Sequence, residues 1–263
     1  MLTFVAITPH SPILLPTIGK EHHKKLKKTI AAYKMLEEDI YASKPNTIVV
    51  LSPHGTTVPD ALAIHICKIF KVNLKEFGDL ATSLEFKANP KLTEEIRALR
   101  YKNESVPLAT ITEDFLDYGS AIPLYFLTQH LPGITIIPIG SSNMAVQAHF
   151  DIGKLLGEIL QSSSQRVAVI ASADLAHTLT DSAPGGFSPE GKKFDTAIVQ
   201  ALRKDDHESI LKLENKMETV KTCGLRVIAM LLGIIENMNC TPEPLSYEGP
   251  FGVGYLTARF KLY

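Results

Sequence analysis

The sequence predicts an α/β fold with a central, mostly parallel sheet flanked by helices. Three short apolar runs, at residues 4–7, 48–51 and 167–170, are rich in β-branched side chains, and each stops at a polar turn. Runs of this kind are typical of strands that are buried on both faces of a parallel sheet. Between them, residues 21–42 and 144–160 carry apolar side chains at the spacing of an amphipathic helix.

Strand-like and helix-like stretches alternate along the rest of the chain, separated by turns that contain glycine or proline. Residues 81–84 fit neither pattern. The strands that we expect are 2–7, 47–51, 61–66, 69–72, 134–139, 166–172, 245–247 and 253–260. The helices that we expect are 21–42, 90–99, 120–131, 144–160, 191–203, 207–213 and 224–236.

The composition, with 45% hydrophobic and 21% charged residues, is that of an ordinary globular protein, and we expect a single domain over residues 1–263. The formal net charge of −1 predicts no nucleic-acid partner. Three cysteines form no disulfide framework, and the N-terminus lacks the features of a signal peptide, so we expect a cytoplasmic protein with reduced thiols. The apolar stretch at 227–235 is too short to span a bilayer, which predicts no membrane association.

Three histidines lie just beyond predicted strands. His10 and His54 each follow a proline that ends a strand, and His177 closes a longer turn over residues 172–177. Ligand sites in open α/β sheets lie outside the carboxyl ends of the strands, so we expect the three imidazoles to converge. Imidazole is the commonest metal ligand in proteins and the natural acid or base near neutral pH. The pattern therefore predicts a metal site at the strand ends and a metal-dependent or acid/base enzyme.

Asp174 lies three residues before His177, so on a helical turn the two side chains would share a face. A carboxylate there could orient the imidazole and raise its basicity. The alternative is that Ser172 or Asp174 caps a short helix.

Two histidines hold a divalent metal poorly, and three residues are candidates for a third ligand. Cys223 comes at the start of the predicted helix 224–236, where the helix dipole favours a thiolate. Glu248 and Glu243 would instead complete the two-histidine, one-carboxylate triad of non-haem Fe(II) oxygenases. A thiolate gives a softer site that also suits zinc or copper. The residues alone leave this choice open.

Other catalytic signatures are missing from the sequence. It contains no Gly-x-Ser-x-Gly nucleophile elbow, no Walker A loop and no dinucleotide-binding fingerprint. No nucleotide cofactor is therefore expected.

Six motifs, in order along the chain, resemble the class III extradiol ring-cleavage dioxygenase superfamily, and in particular its B-type members. Within this group the sequence is most similar to the Memo-like branch, which includes AmmeMemoRadiSam system protein B. The motifs are Thr8-Pro9-His10-Ser11-Pro12, Ser52-Pro53-His54-Gly55, Asp117-Tyr118-Gly119-Ser120, Ser172-Ala173-Asp174-Leu175-Ala176-His177, Cys223-Gly224-Leu225-Arg226 and Gly252-Val253-Gly254-Tyr255.

The resemblance implies a division of roles among these residues. His10 and His54 would bind the metal, and Cys223 becomes the favoured third ligand, since the Memo-like branch has a cysteine at that position. His177 would be the acid/base, with Asp174 orienting it and Tyr118 contacting substrate or oxygen. Fe(II) is the implied metal, with zinc or copper as alternatives. The implied substrates are a catechol-type aromatic ring and O2, and homo-oligomerisation stays open.

Two departures from the ring-cleaving members bear on the reaction. Cys223 replaces a carboxylate, and Tyr118 stands where many relatives have a histidine in Asp-His-Gly. The alternatives to a dioxygenase are a Memo-like protein that binds a metal or ligand without oxygenase activity, and a zinc hydrolase using the same site.

Overall fold

The computed structural model describes residues 1–102 and 106–263, and its strands there form one sheet. The strands are β1 Leu2–Thr8, β2 Thr47–Ser52, β3 Leu62–His65, β4 Ile69–Val72, β5 Glu85–Ala88, β6 Leu108–Ile111, β7 Phe115–Leu116, β8 Thr135–Gly140, β9 Val167–Ser172, β10 Cys240–Glu248 and β11 Tyr255–Leu262.

The helices pack on both faces of this sheet. They are α1 Pro16–Gly19, α2 Lys27–Ser43, α3 Pro90–Arg97, α4 Leu99–Lys102, α5 Tyr118–Leu127, α6 Val146–Ser162, α7 Pro189–Arg203, α8 His207–Leu211, α9 Met217–Val220 and α10 Leu225–Ile235. Within the described ranges, none of them combines the length and the apolar character that crossing a membrane requires.

The centre of the sheet is parallel, which confirms the predicted fold class. The strand order is β10-β11-β1-β9-β2-β8-β5-β4-β7, and β3 pairs with both β8 and β6. The neighbouring strands β1, β9, β2 and β8 all run in the same direction. Antiparallel pairs occur towards both edges: β11 joins β1 and β10 joins β11 on one side, and β3 joins β8 and β4 joins β5 on the other. The extent of the domain, residues 1–263, stays a prediction.

Successive residues of the central strands enter two different hydrophobic cores. In β1, Val5 and Ile7 pack on the side of α6 and α10, whereas Phe4 and Ala6 pack on the side of α2 and α5. Side chains alternate across a strand, so a strand covered on both faces needs apolar residues at every position. This explains why the strands are continuous apolar runs in the sequence.

The sequence placed some elements wrongly. The helix predicted over 21–42 begins as α2 at Lys27, after a 3-10 segment at Lys20–Lys25. The strand predicted at 245–247 is the end of β10, which starts at Cys240. Pro242 and Pro244 argue against a strand in the sequence, so the first part of β10 was not predicted. An edge strand tolerates prolines because one side of its backbone needs no partner. The short strands β5, β6 and β7 were missed.

The parallel register brings three strand ends to one level. Thr8 at the end of β1 pairs with Ser172 at the end of β9, and Leu51 of β2 pairs with Ala171 of β9. The chain continues from these ends towards His10, His54 and His177, so all three histidines emerge at the same edge of the sheet.

Three glycines let α6 and α10 approach closely. A Cβ atom at Gly153 would overlap the carbonyl oxygen of Met230, and one at Gly157 would overlap that of Ile234. From the other helix, a Cβ at Gly233 would overlap the carbonyl oxygen of Phe150. Since α10 begins two residues after Cys223, this contact fixes the position of that cysteine.

A buried carboxylate anchors the segment before His177. Asp195 of α7 is fully buried, and its Oδ1 accepts a hydrogen bond of 2.9 Å from the backbone N–H of Ala176. Its Oδ2 accepts one of 2.6 Å from the hydroxyl of Tyr247. Burial raises the pKa of Asp195 to about 6, although these two hydrogen bonds and the charge of Lys192 act in the opposite direction.

Replacing Gly157 with alanine should lower the free energy of unfolding by about 3 kcal/mol, because the new methyl group collides with the backbone of α10. Alanine is intrinsically the better helix former by about 1 kcal/mol, so a net loss can come only from the collision. The matched control is Glu158→Ala on the exposed face of α6, which should change stability by no more than about 0.5 kcal/mol. Urea denaturation measures both; a Gly157→Ala variant as stable as the unchanged protein would contradict the close contact.

Asp195→Asn should make stability less dependent on pH. The carboxyl group has a pKa of 3.8 when exposed and about 6 in the folded chain. Between these values the folded chain keeps a proton that the unfolded chain has released, so the wild type loses stability as the pH rises. Relative to wild type, the variant should therefore gain about 2 kcal/mol between pH 4 and pH 7. Urea titrations across that range test this, with the exposed Asp151→Asn as control; a difference that does not vary with pH would refute it.

Candidate metal centre

Three donor atoms from distant parts of the chain meet beyond the strand ends. Nε2 of His10 lies 3.0 Å from Nε2 of His54 and 3.5 Å from Sγ of Cys223. One ligand atom from each of the three residues lies within 4.8 Å of the others. Zinc, for example, binds imidazole nitrogen at about 2.0–2.1 Å and thiolate sulfur at about 2.3 Å, so donors around one such ion lie roughly 3–4 Å apart. The donor set and its spacing fit a divalent cation.

Both imidazoles are in the neutral form that binds metals. Burial lowers the pKa of His10 to about 3, and of His54 to about 4. Each ring also lies close to the other, which disfavours a positive charge on His54. Two ring nitrogens 3.0 Å apart need either a hydrogen or a cation between them.

Cys223 is a protonated thiol when no cation is present. Burial raises the pKa of the thiol above its usual range, and the nearby carboxylate of Asp174 raises it further. The expectation that the N-terminus of α10 favours a thiolate is therefore not met in the metal-free chain. A bound cation reverses this balance, because coordination deprotonates a thiol.

The two glutamate alternatives have other partners. Oε1 of Glu248 accepts hydrogen bonds from the backbone N–H of Thr29 at 2.8 Å and from its hydroxyl at 2.7 Å, at the start of α2. Glu243 pairs with Arg259 at 2.6 Å and with Lys261 at 3.0 Å. Cys223 is the candidate that lies beside the two histidines.

His177 borders the same cluster. Its Nε2 lies 3.9 Å from Sγ of Cys223. Burial lowers the pKa of His177, while the charge of Asp174 raises it and that of His54 lowers it further. The ring is therefore neutral near pH 7 and faces the donor atoms.

Asp174 is placed differently from the expectation. Residues 173–177 are not helical, and Asp174 forms a β-bridge with Tyr255, so the prediction that Asp174 and His177 share a helical face was wrong. Oδ1 of Asp174 accepts a hydrogen bond of 3.0 Å from the backbone N–H of His10, and Oδ2 lies 3.8 Å from its Nε2. Burial raises the pKa of this carboxyl group to about 6.

Tyr118 lies against His54 at the start of α5. Asp117 caps this helix by accepting a hydrogen bond of 3.0 Å from the backbone N–H of Ser120. The rings of Tyr118 and His54 stack with centroids 4.3 Å apart, and the phenol oxygen lies 2.9 Å from Nε2 of His54. Phe77 packs its edge against Tyr118. The phenol group therefore lies where it can donate a hydrogen bond beside His10, His54 and Cys223.

Two serines at strand ends have roles that the sequence did not reveal. The hydroxyl of Ser52 donates to Asp117, and Oγ of Ser172 lies 2.8 Å from Nδ1 of His10. Both residues occur within the six motifs, directly at the end of β2 and β9. That position was the available signal, because ligand sites in open α/β sheets lie outside the carboxyl ends of the strands.

A known family of ring-opening dioxygenases is similar to this chain over almost its whole length. A family model for the catalytic LigB subunit of aromatic ring-opening dioxygenase matches residues 4–258. Protein CA_C1420 from Clostridium acetobutylicum is 32% identical over 259 residues, which cover 95% of this chain and 55% of that protein. The chain thus spans about half the length of this relative. The 4,5-DOPA dioxygenase extradiol of Beta vulgaris is 24% identical over 213 residues, covering 76% of this chain and 74% of that protein.

A solved structure has the same fold. The crystal structure of the uncharacterized protein JW3007 from Escherichia coli K12 aligns with a TM-score of 0.67 over 98% of this chain and 99% of that one, at 16% identity. The resemblance to the class III extradiol dioxygenase superfamily is confirmed, since the family model covers residues 4–258. The chain belongs to the LigB family of class III extradiol dioxygenases.

Proposed function

We propose that the protein is a metal-dependent extradiol dioxygenase, an oxidoreductase that opens a catechol-type aromatic ring with O2. The observation that carries the proposal is the meeting of His10, His54 and Cys223 at the strand ends, with His177 beside them. The metal that we propose is Fe(II), with zinc or copper as alternatives. Membership of the LigB family and the name of the Beta vulgaris relative support the reaction class.

The side chains of His10, His54 and Cys223 would hold the metal. Bound there, Fe(II) would supply the electron exchange between an electron-rich ring and O2 that ring opening requires. His10 is 1% exposed, so the protein keeps bulk water away from that ligand. Tyr118 and His177 border the cluster from different elements and would contact the substrate.

His177 is the proposed acid/base. Its ring is neutral because burial lowers its pKa, so Nε2 can take a proton from a substrate hydroxyl group and return it later. Asp174 would favour the protonated state of His177 by its charge. The phenol group of Tyr118 would donate a hydrogen bond to a substrate oxygen.

Cys223 is the specific reason to retain a second candidate function. A sulfur ligand replaces the carboxylate of the ring-cleaving members, and two imidazoles with one thiolate also form a ligand set that suits a zinc site with an open position. The alternatives are a zinc hydrolase and a Memo-like protein that binds a metal or ligand without oxygenase activity. Assignment to the Memo-like branch is part of this proposal.

The function is tested by loading the protein with Fe(II) without oxygen and then adding O2 with a panel of catechols. We expect the uptake of one O2 for each catechol consumed, and the yellow colour of ring-opened products. No uptake with any catechol, together with hydrolysis that depends on zinc, would favour the hydrolase instead.

His177→Ala should keep its metal but lose turnover by about a hundred- to ten-thousand-fold, the usual contribution of a general acid/base. Metal content by elemental analysis separates this loss from a failure to bind iron. The matched control is His130→Ala, an exposed histidine that pairs with Glu37 away from the cluster, and its turnover should be unchanged. Ring opening by His177→Ala at the wild-type rate would contradict the assigned role.

A further inference from the structure

Ser172 makes two hydrogen bonds with one hydroxyl group. The residue ends β9 and is fully buried. Its Oγ lies 2.8 Å from Nδ1 of His10 and donates to the backbone carbonyl oxygen of Gly119. Ser172 thus connects a proposed metal ligand to the first turn of α5.

The directions of these two hydrogen bonds follow from the atoms involved. A carbonyl oxygen can only accept, so the single hydroxyl hydrogen of Ser172 must point to Gly119. Oγ can then only accept from His10, and Nδ1 of His10 must carry the hydrogen. In a neutral imidazole the other nitrogen is then bare, so Nε2 directs its lone pair at His54 and Cys223.

The carbonyl of Gly119 is free to accept from Ser172 because of a proline inside the helix. In an α-helix this carbonyl would accept from the backbone N–H four residues later, and that residue is Pro123, which has none. A side chain at position 119 would also crowd the site, since a Cβ there would lie 2.9 Å from Oδ1 of Asp117 and 3.1 Å from the ring of His54. Pro123 thus removes the usual helical donor to this carbonyl, and the hydroxyl group of Ser172 supplies a hydrogen bond to it.

We propose that Ser172 is a positioning residue that fixes His10 as the Nδ1–H tautomer and thereby prepares Nε2 to bind the metal. The inference rests on the metal centre of the proposed function. It adds a chain of dependence that runs from Pro123 through Gly119 and Ser172 to His10. Groups that fix the tautomer of a metal-binding histidine typically contribute about 10- to 100-fold in metal affinity.

The tautomer can be read directly by NMR. Long-range 1H–15N correlation of the histidine rings in the metal-free protein should show a protonated Nδ1 and a bare Nε2 for His10, assigned by comparison with His10→Asn. In Ser172→Ala this signature should be lost or mixed with the other tautomer. A wild-type His10 that carries its hydrogen on Nε2 would overturn the inference, even if the variant does not fold.

Metal affinity gives the second readout, with Zn²⁺ and Fe²⁺ themselves as probes in competition with a chelator. Ser172→Ala should bind each about 10- to 100-fold more weakly. The matched control is Ser142→Ala, which removes another buried serine whose hydroxyl lies beside a buried histidine, 3.3 Å from Nε2 of His149. It should change neither metal affinity nor the His10 tautomer.

Equal affinity of Ser172→Ala and wild type would refute the positioning role. These measurements do not involve turnover, so they separate the inference from the proposed reaction. If metal binding depends on Ser172 but no catechol is opened, the dioxygenase proposal fails and the inference stands.

Discussion

The parallel pairing of β1, β9 and β2 is the constraint on which the site depends. Thr8 and Ser172 are partners in the sheet, and Leu51 pairs with Ala171, so the three strands end together. Side-chain packing in the two cores holds this register, because a slip by one residue would move each side chain of a strand to the opposite face of the sheet. The register therefore places His10 and His54 close enough for their Nε2 atoms to lie 3.0 Å apart.

The position of Cys223, the proposed third ligand, depends on helix packing instead of strand pairing. Cys223 precedes α10, whose path is set by close contact with α6 at Gly153, Gly157 and Gly233. The centre thus combines two independent parts of the fold, and neither the sheet nor the helix pair alone would form it. These residues form a buried cluster of ionisable groups. Burial holds the histidines neutral and keeps Cys223 protonated in the absence of a cation, and a bound cation would replace that proton.

Much of this could be predicted from the sequence, because strands covered on both faces are continuous apolar runs and because Pro-His turns end them. The predicted fold class and the meeting of His10, His54 and His177 follow from those signals. The setting of Asp174 was missed, since three residues of spacing imply a shared face only if the chain is helical. The residue types alone could not decide between Cys223 and Glu248 as third ligand. That choice depends on a contact between distant parts of the chain, in which Glu248 accepts a hydrogen bond from Thr29 at the start of α2. The role of Ser172 required knowing that Pro123 leaves a carbonyl free next to it.

X-ray absorption at the metal edge tests the central claim most directly, which is that one ion is shared by His10, His54 and Cys223. We expect the metal-loaded protein to show two imidazole nitrogens at about 2.0–2.1 Å and one sulfur at about 2.3 Å. In Cys223→Ser the sulfur contribution should disappear while the imidazole contributions persist. A wild-type spectrum that contains only nitrogen and oxygen ligands would contradict the account.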